Sequence, residues 1–69
     1  MDIVSEMAAN VWKIVVAEGD AVTSGQELMI LESMKMEIPV ESPTHGVVGE
    51  ILVQEGSAVE ENAVLLRLA

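Results

Sequence analysis

The chain carries two copies of one pattern. Shifted by 37 positions, residues Val11–Glu32 lie on Val48–Ala69 without a gap. Nine of those 22 positions are identical: Val11/Val48, Ile14/Ile51, Val16/Val53, Glu18/Glu55, Gly19/Gly56, Ala21/Ala58, Val22/Val59, Leu28/Leu65 and Leu31/Leu68. A chance likeness between two β-hairpins would not repeat a turn together with the strand after it. The Glu-Gly-x-Ala-Val block does so at Glu18–Val22 and again at Glu55–Val59. Glycine in that block points to a backbone position with positive φ. Gly25 falls opposite Asn62, and Asn is the next-best residue in the left-handed region, so the two halves are expected to share turn geometry. Each half alone is too small to bury its apolar face, so the halves must pack on each other as a pseudo-twofold sandwich of four short strands each.

The local pattern agrees with an all-β fold. Short apolar, β-branched segments at Val11–Val16, Leu28–Leu31, Val47–Val53 and Val64–Leu68 predict strands. Turn signals separate them: Glu18-Gly19-Asp20, Thr23-Ser24-Gly25, Ser42-Pro43-Thr44-His45-Gly46, Glu55-Gly56-Ser57 and Glu61-Asn62. Such spacing suits a sandwich or barrel. A helix over Glu27–Glu37 would put Leu28, Leu31 and Lys35 on one face. No cap precedes that stretch and Pro39 follows it, which argues against the helix.

Composition narrows the function. A chain of 69 residues is one domain, because it buries only roughly 60% of its extended surface and cannot divide that into two cores. Twelve acids against three bases leave a net charge of −9. Nucleic acid and anionic membrane surfaces both require basic patches, so neither is expected as a partner. There is no cysteine, hence no disulfide and no thiolate metal site. A hydrophobic fraction of 51% is far too high for a disordered acidic tail. The longest apolar runs, Ile14–Ala17, Leu28–Leu31 and Ala63–Leu66, are four residues, against about 20 for a membrane span. The start, Met1-Asp2-Ile3-Val4-Ser5-Glu6, has no basic region and no long apolar stretch, so no secretory signal is read and a cytoplasmic location is expected. Strand-like sequence directly after Met1 favours a whole protein over an excised domain. The one aromatic residue is Trp12, so the core must be aliphatic and methionine.

The repeat leaves Ser33–Thr44 without a counterpart, and material not needed for the repeat is where function is sought. The segment Glu32-Ser33-Met34-Lys35-Met36-Glu37-Ile38-Pro39-Val40 reads as strand, tight turn, strand, with Met34 and Lys35 at the tip. Ile38 and Val40 alternate as in a strand with one buried face. A turn lysine beside Glu32, Glu37 and Glu41 could simply be a solvated ion pair, which contributes about 0–1 kcal/mol. Methionines at a tip, however, are pushed toward water. Exposed apolar side chains there suggest a contact surface, and Met suits one that must fit several partners.

The Glu32-Ser33-Met34-Lys35-Met36-Glu37-Ile38 segment resembles the attachment site of the biotinyl/lipoyl attachment domain family, and specifically that of its small stand-alone bacterial members. Gly19-Asp20, Val22, Gly25 and Leu28 before the site match too, as do Gly46, Gly56, Val59 and Leu65 after it, so the resemblance covers the whole chain. It implies one carrier domain over 1–69, with repeat halves of about 11–32 and 48–69 and an attachment hairpin at 32–40. It implies a flattened β-barrel, a barrel-sandwich hybrid of two four-stranded antiparallel sheets, with the tip at one end and the termini near the other. It implies covalent biotin on Lys35, added by a biotin protein ligase, with Met34 and Met36 recognised and Glu32, Ser33 and Glu37 flanking. The partners it implies are the ligase and the biotin carboxylase and carboxyltransferase components of a carboxylase, the carrier itself being a monomer. Two departures stand out. Ser33 replaces the Ala common before this Met, which bears on selectivity for biotin. The unbroken 37-residue register leaves no room for the protruding thumb of some acetyl-CoA carboxylase carriers.

The expected chemistry is that of a carrier without catalytic groups. An ordinary lysine amine is almost wholly protonated near neutral pH, and no apolar pocket or neighbouring base is apparent, so the base for acylation is expected from the ligase. Modification removes one positive charge. The finished arm spans about ten bonds, roughly 12–14 Å, which suits carriage of CO₂ between two active sites. Tethering raises the local biotin concentration to roughly millimolar. His45 lies in a turn and is read as an ordinary turn residue; a single His with scattered acids makes no metal site. The acids at Glu18-Gly19-Asp20 and Glu60-Glu61 are read as solvated turns that keep the chain soluble and could steer it to basic partners. A lipoyl carrier of a 2-oxo acid dehydrogenase, or a dual biotin/lipoyl acceptor, shares the fold; the Asp-Lys-Ala usual in lipoyl tips is absent here.

Overall fold

The computed structural model describes all residues 1–69 and is built entirely of strands. In chain order they are β1 (Asp2–Val4), β2 (Ala9–Ile14), β3 (Ala21–Val22), β4 (Glu27–Ser33), β5 (Met36–Glu41), β6 (Gly46–Ile51), β7 (Ala58–Val59) and β8 (Val64–Leu68). They form two four-stranded antiparallel sheets, ordered β1-β8-β6-β3 and β5-β4-β2-β7. This is the expected sandwich, and the helix weighed over Glu27–Glu37 is replaced by the β4–β5 hairpin.

The pairing obeys one internal symmetry. Val11↔Leu31, Lys13↔Ile30 and Ile14↔Met29 between β2 and β4 become Val48↔Leu68, Glu50↔Arg67 and Ile51↔Leu66 between β6 and β8 on adding 37 to each number. The partner swap is reciprocal: β2 borrows β7 (Ala9↔Val59, Asn10↔Ala58) and β6 borrows β3 (Val22↔Gly46, Ala21↔Val47). The correspondence reaches further back than the 11–32 and 48–69 boundaries expected from sequence. Asp2↔Arg67 and Ile3↔Leu66 match Pro39↔Ile30 and Val40↔Met29, so β1 is the counterpart of the second half of β5. Ser5 and Ser42 are both buried, and each hydroxyl donates to the carbonyl two residues on, Met7 and Thr44. The segment without a counterpart therefore narrows from Ser33–Thr44 to the hairpin tip and the start of β5. Identity is too low over residues 2–10 for sequence to reveal this; the shared backbone geometry does.

Strands β2 and β6 end two residues earlier than their apolar runs suggest, and for the same reason. A carboxylate takes each last strand N–H: Glu55 Oε2 accepts from Ile14 at 2.9 Å and Glu18 Oε2 accepts from Ile51 at 3.0 Å. The chain then leaves for the other sheet. These two glutamates, together with Asp20 Oδ2, which accepts from Ala17 N–H at 2.9 Å, are structural acceptors rather than merely solvated acids. The turns that follow use Gly19 (φ 93) and Gly56 (φ 90), then Gly25 (φ 85) and Asn62 (φ 69), so Asn does stand in for Gly at the equivalent place.

The core lies between the sheets and repeats as well. Val11/Val48, Val22/Val59, Leu28/Leu65, Met29/Leu66 and Leu31/Leu68 supply ten of its eleven buried residues, and Ile3 completes it. No aromatic residue takes part. Trp12 sits at a bulge on β2, 44% exposed, with the Lys13 ammonium 5.7 Å from its ring centroid.

The symmetry also sets the two ends of the 30 Å-long molecule apart. The reciprocal caps at Ile14 and Ile51 mark where the halves meet. Strand β2 runs to that point from the side of the β4–β5 tip, and β6 runs to it from the side where the Met1 ammonium donates to Leu68 O at 2.8 Å. The tip and the termini thus occupy opposite ends.

Candidate functional site

From Met29↔Val40 onward strands β4 and β5 pair without a break to Ser33↔Met36, leaving Met34 and Lys35 as a two-residue loop. Both have positive φ, 54° and 65°. That is the type I′ sense, whose twist matches the flanking strands and which Asn-Gly normally occupies. A Met-Lys dipeptide holds the same geometry at a cost of order 1 kcal/mol per residue, and such strain persists where the surrounding structure over-determines it. Six paired positions along the hairpin supply that constraint.

The tip projects into solvent. Met34 is 91% exposed and Met36 65%, among the most exposed apolar side chains of the molecule. Lys35 is exposed and unpaired: both ion pairs of the chain belong to Arg67, with Asp2 at 3.0 Å and Glu50 at 3.3 Å. The glutamate pairing weighed for this lysine is not formed. Glu32 and Glu37 instead stand directly opposite each other across the hairpin, both exposed. Like charges so placed weaken a strand pair. Ser33 is half-buried at the last step before the turn. All six residues singled out around the tip are therefore neighbours in space.

One part of this end was not apparent from sequence. Asn10 pairs with Glu32 on one side and with Ala58 on the other, so the three lie in a row across β4, β2 and β7. All three are exposed. With Met34, Val59 and Glu60 they border a shallow cleft of about 440 Å³ beside the turn. The residues come from three separate stretches of chain, and only strand pairing assembles them. The one available signal was the repeat: Asn10 falls opposite Val47, and Glu32 opposite Ala69.

The arrangement presents one primary amine on a rigid, water-exposed turn, flanked by two methionines, with no base against it. His45 lies elsewhere, its Nδ1 accepting from Ser24 N–H at 3.4 Å in a turn. No three His, Asp or Glu side chains converge as a metal site would require.

The family described as "Biotin-requiring enzyme" matches residues 2–68. The biotin/lipoyl attachment protein of Bacillus subtilis (strain 168) is 48% identical over 69 residues, covering all of this chain and 94% of that protein. A biotinylated protein TB7.3 homolog of Mycobacterium leprae (strain TN) is 42% identical over 59 residues, 86% of this chain and 83% of the relative. Among solved structures, the urea carboxylase of Kluyveromyces lactis superposes on the whole chain with a TM-score of 0.94 at 33% identity, this chain spanning 6% of that enzyme.

Proposed function

The chain belongs to the biotin-requiring enzyme family, and from that premise we propose that it is a biotin carrier in which Lys35 forms an amide with biotin. The observation that carries the assignment is the hairpin tip: an unpaired, exposed lysine held at φ 65° between two solvent-facing methionines. The strained turn keeps the amine clear of the sheets. Met34 and Met36 offer an apolar rim that a biotin protein ligase can grip, and the ligase supplies the base.

As a carrier, the domain contributes position and no catalytic group. Its rigid sandwich delivers the tethered ring to a biotin carboxylase and then to a carboxyltransferase, which perform the chemistry. Relatives that are themselves carboxylase subunits or parts of carboxylases support partners of this class. The strongly acidic surface favours basic docking faces on those partners.

A second reading, acceptance of lipoate at the same lysine, is favoured by the biotin/lipoyl description of the Bacillus relative. Incubating the chain with a biotin ligase or a lipoate ligase, each with its cofactor, and measuring intact mass separates the two. A gain of one biotin supports the first reading. A gain only with lipoate would move the assignment to the second, and no gain with either would refute both.

A further inference from the structure

We propose that the two tip methionines, Met34 and Met36, form a reversible oxidation site for peroxides, and that their sulfoxides slow ligation at Lys35; the effect on ligation rests on the biotin assignment above. Three observations carry it. First, the chain has no cysteine, so methionine is its only sulfur, and its five methionines differ sharply in access. Met34 is the most exposed of them. Met36 and Met1 follow at about equal exposure, Met7 is less exposed, and Met29, on the same hairpin as the tip, is fully buried. Peroxide oxidises a thioether where solvent reaches it.

Second, the tip sulfurs hold nothing together. Neither Met34 nor Met36 belongs to the core or packs against it, whereas Met29 is one of the eleven core residues. A polar oxygen on Met29 would disrupt the core, and one on the tip costs the fold nothing. The fold therefore offers for oxidation the two methionines it can spare. Third, these two flank Lys35 directly and are the only apolar side chains of the Ser33–Met36 turn. The apolar rim around the amine is made of thioethers alone, so oxidising both turns the whole rim polar.

The chemistry is an oxygen transfer. A thioether sulfur attacks one peroxide oxygen, the S–O bond forms as the O–O bond breaks, the sulfur is oxidised by two electrons, and hydrogen peroxide leaves as water. A dithiol reductant reverses the step: the sulfoxide oxygen departs as water and the dithiol becomes a disulfide. Lys35 keeps its amine throughout, so the acceptor is masked and not destroyed. A sulfoxide oxygen is a polar acceptor, and pressing it against an apolar surface of the ligase leaves it without a hydrogen bond.

Graded hydrogen peroxide on the full chain, removed with catalase before any assay, tests this by peptide mapping, thermal unfolding and the rate of ligation with biotin protein ligase, biotin and ATP. Oxygen is expected first on Met34, then on Met36 and Met1, with Met29 unmodified. The chain oxidised at both tip positions is expected to keep its unfolding midpoint and to gain biotin about tenfold more slowly. Methionine sulfoxide reductases with a dithiol are expected to restore the rate. M34L/M36L keeps an apolar rim that peroxide does not attack, while Met1 and Met7 remain oxidisable; its rate, lower than that of the parent chain, is expected not to fall further after peroxide. An oxidised tip with an unchanged rate, or an equal fall in M34L/M36L, would overturn the effect on ligation and leave the Lys35 assignment standing. Tip methionines that resist peroxide while Met1 and Met7 oxidise would overturn the site itself. An untreated chain that gains no biotin would overturn the Lys35 assignment and the effect on ligation together, with the order of oxidation still deciding the site.

Discussion

Lys35 stands exposed at the tip of the β4–β5 hairpin, one of three basic residues in the chain, among acids and between two methionines, in the stretch the repeat does not explain. Its backbone was not legible, since neither Met nor Lys signals a positive φ, and only the pairing of Ser33 with Met36 imposes it. That conflict between local preference and global fold has a measurable consequence. Met34→Asn suits the left-handed turn better and is expected to stabilise the domain by up to about 1 kcal/mol in urea unfolding, while slowing ligation through loss of the apolar rim. Met36, outside the two-residue loop and 65% exposed, has little to lose structurally. Met36→Leu is expected to keep the unfolding midpoint and lower the ligation rate; unchanged kinetics would remove it from the recognition surface. Asn10 and Glu60 could not be read as lining one cleft with Met34, because chain separation hides what strand pairing brings together.

Among the elements, the strands with full apolar runs and the glycine turns were legible, since branched residues and Gly in repeated blocks report pleat and positive φ directly. Strand β1 was legible only as strand-like sequence after Met1, its three residues showing no period that would fix its face. The carboxylate caps were half visible: Glu18 and Glu55 are identical in the two copies, but a glutamate in a turn does not announce which N–H it will accept from. The turns make the symmetry testable as energetics. Gly19 and Gly56 have matching φ values, and a Cβ at either position meets nothing within 4 Å. Gly19→Ala and Gly56→Ala therefore isolate backbone strain, expected at about 1–2 kcal/mol each. Thermal midpoints should fall by about 4–8 °C per kcal/mol in a domain this size, and by similar amounts in the two variants. A large inequality would show that the halves are not energetically equivalent.

The whole molecule explains how so short a chain dispenses with staples. Two interlocked copies give a continuous core from ten symmetry-related side chains, none aromatic and none belonging to one half alone. Leu28 and Leu65 are mates in that core, both fully buried. Truncating either to Ala is expected to cost about 2–5 kcal/mol. That is a large part of the roughly 3–10 kcal/mol available to a chain of this length, so denaturant midpoints should collapse in both. The same architecture places the lysine-bearing tip and the chain termini on opposite sides of the symmetry, so the tip stands clear of both. The lysine count makes the central assignment simple to test, since Lys13 and the Met1 amine are the only other amines. Fragment mass spectrometry of the ligase-treated chain should locate biotin on Lys35 alone, with no label on Lys35→Arg. Biotin on Lys13 or on the N-terminus, or label retained by that variant, would contradict it.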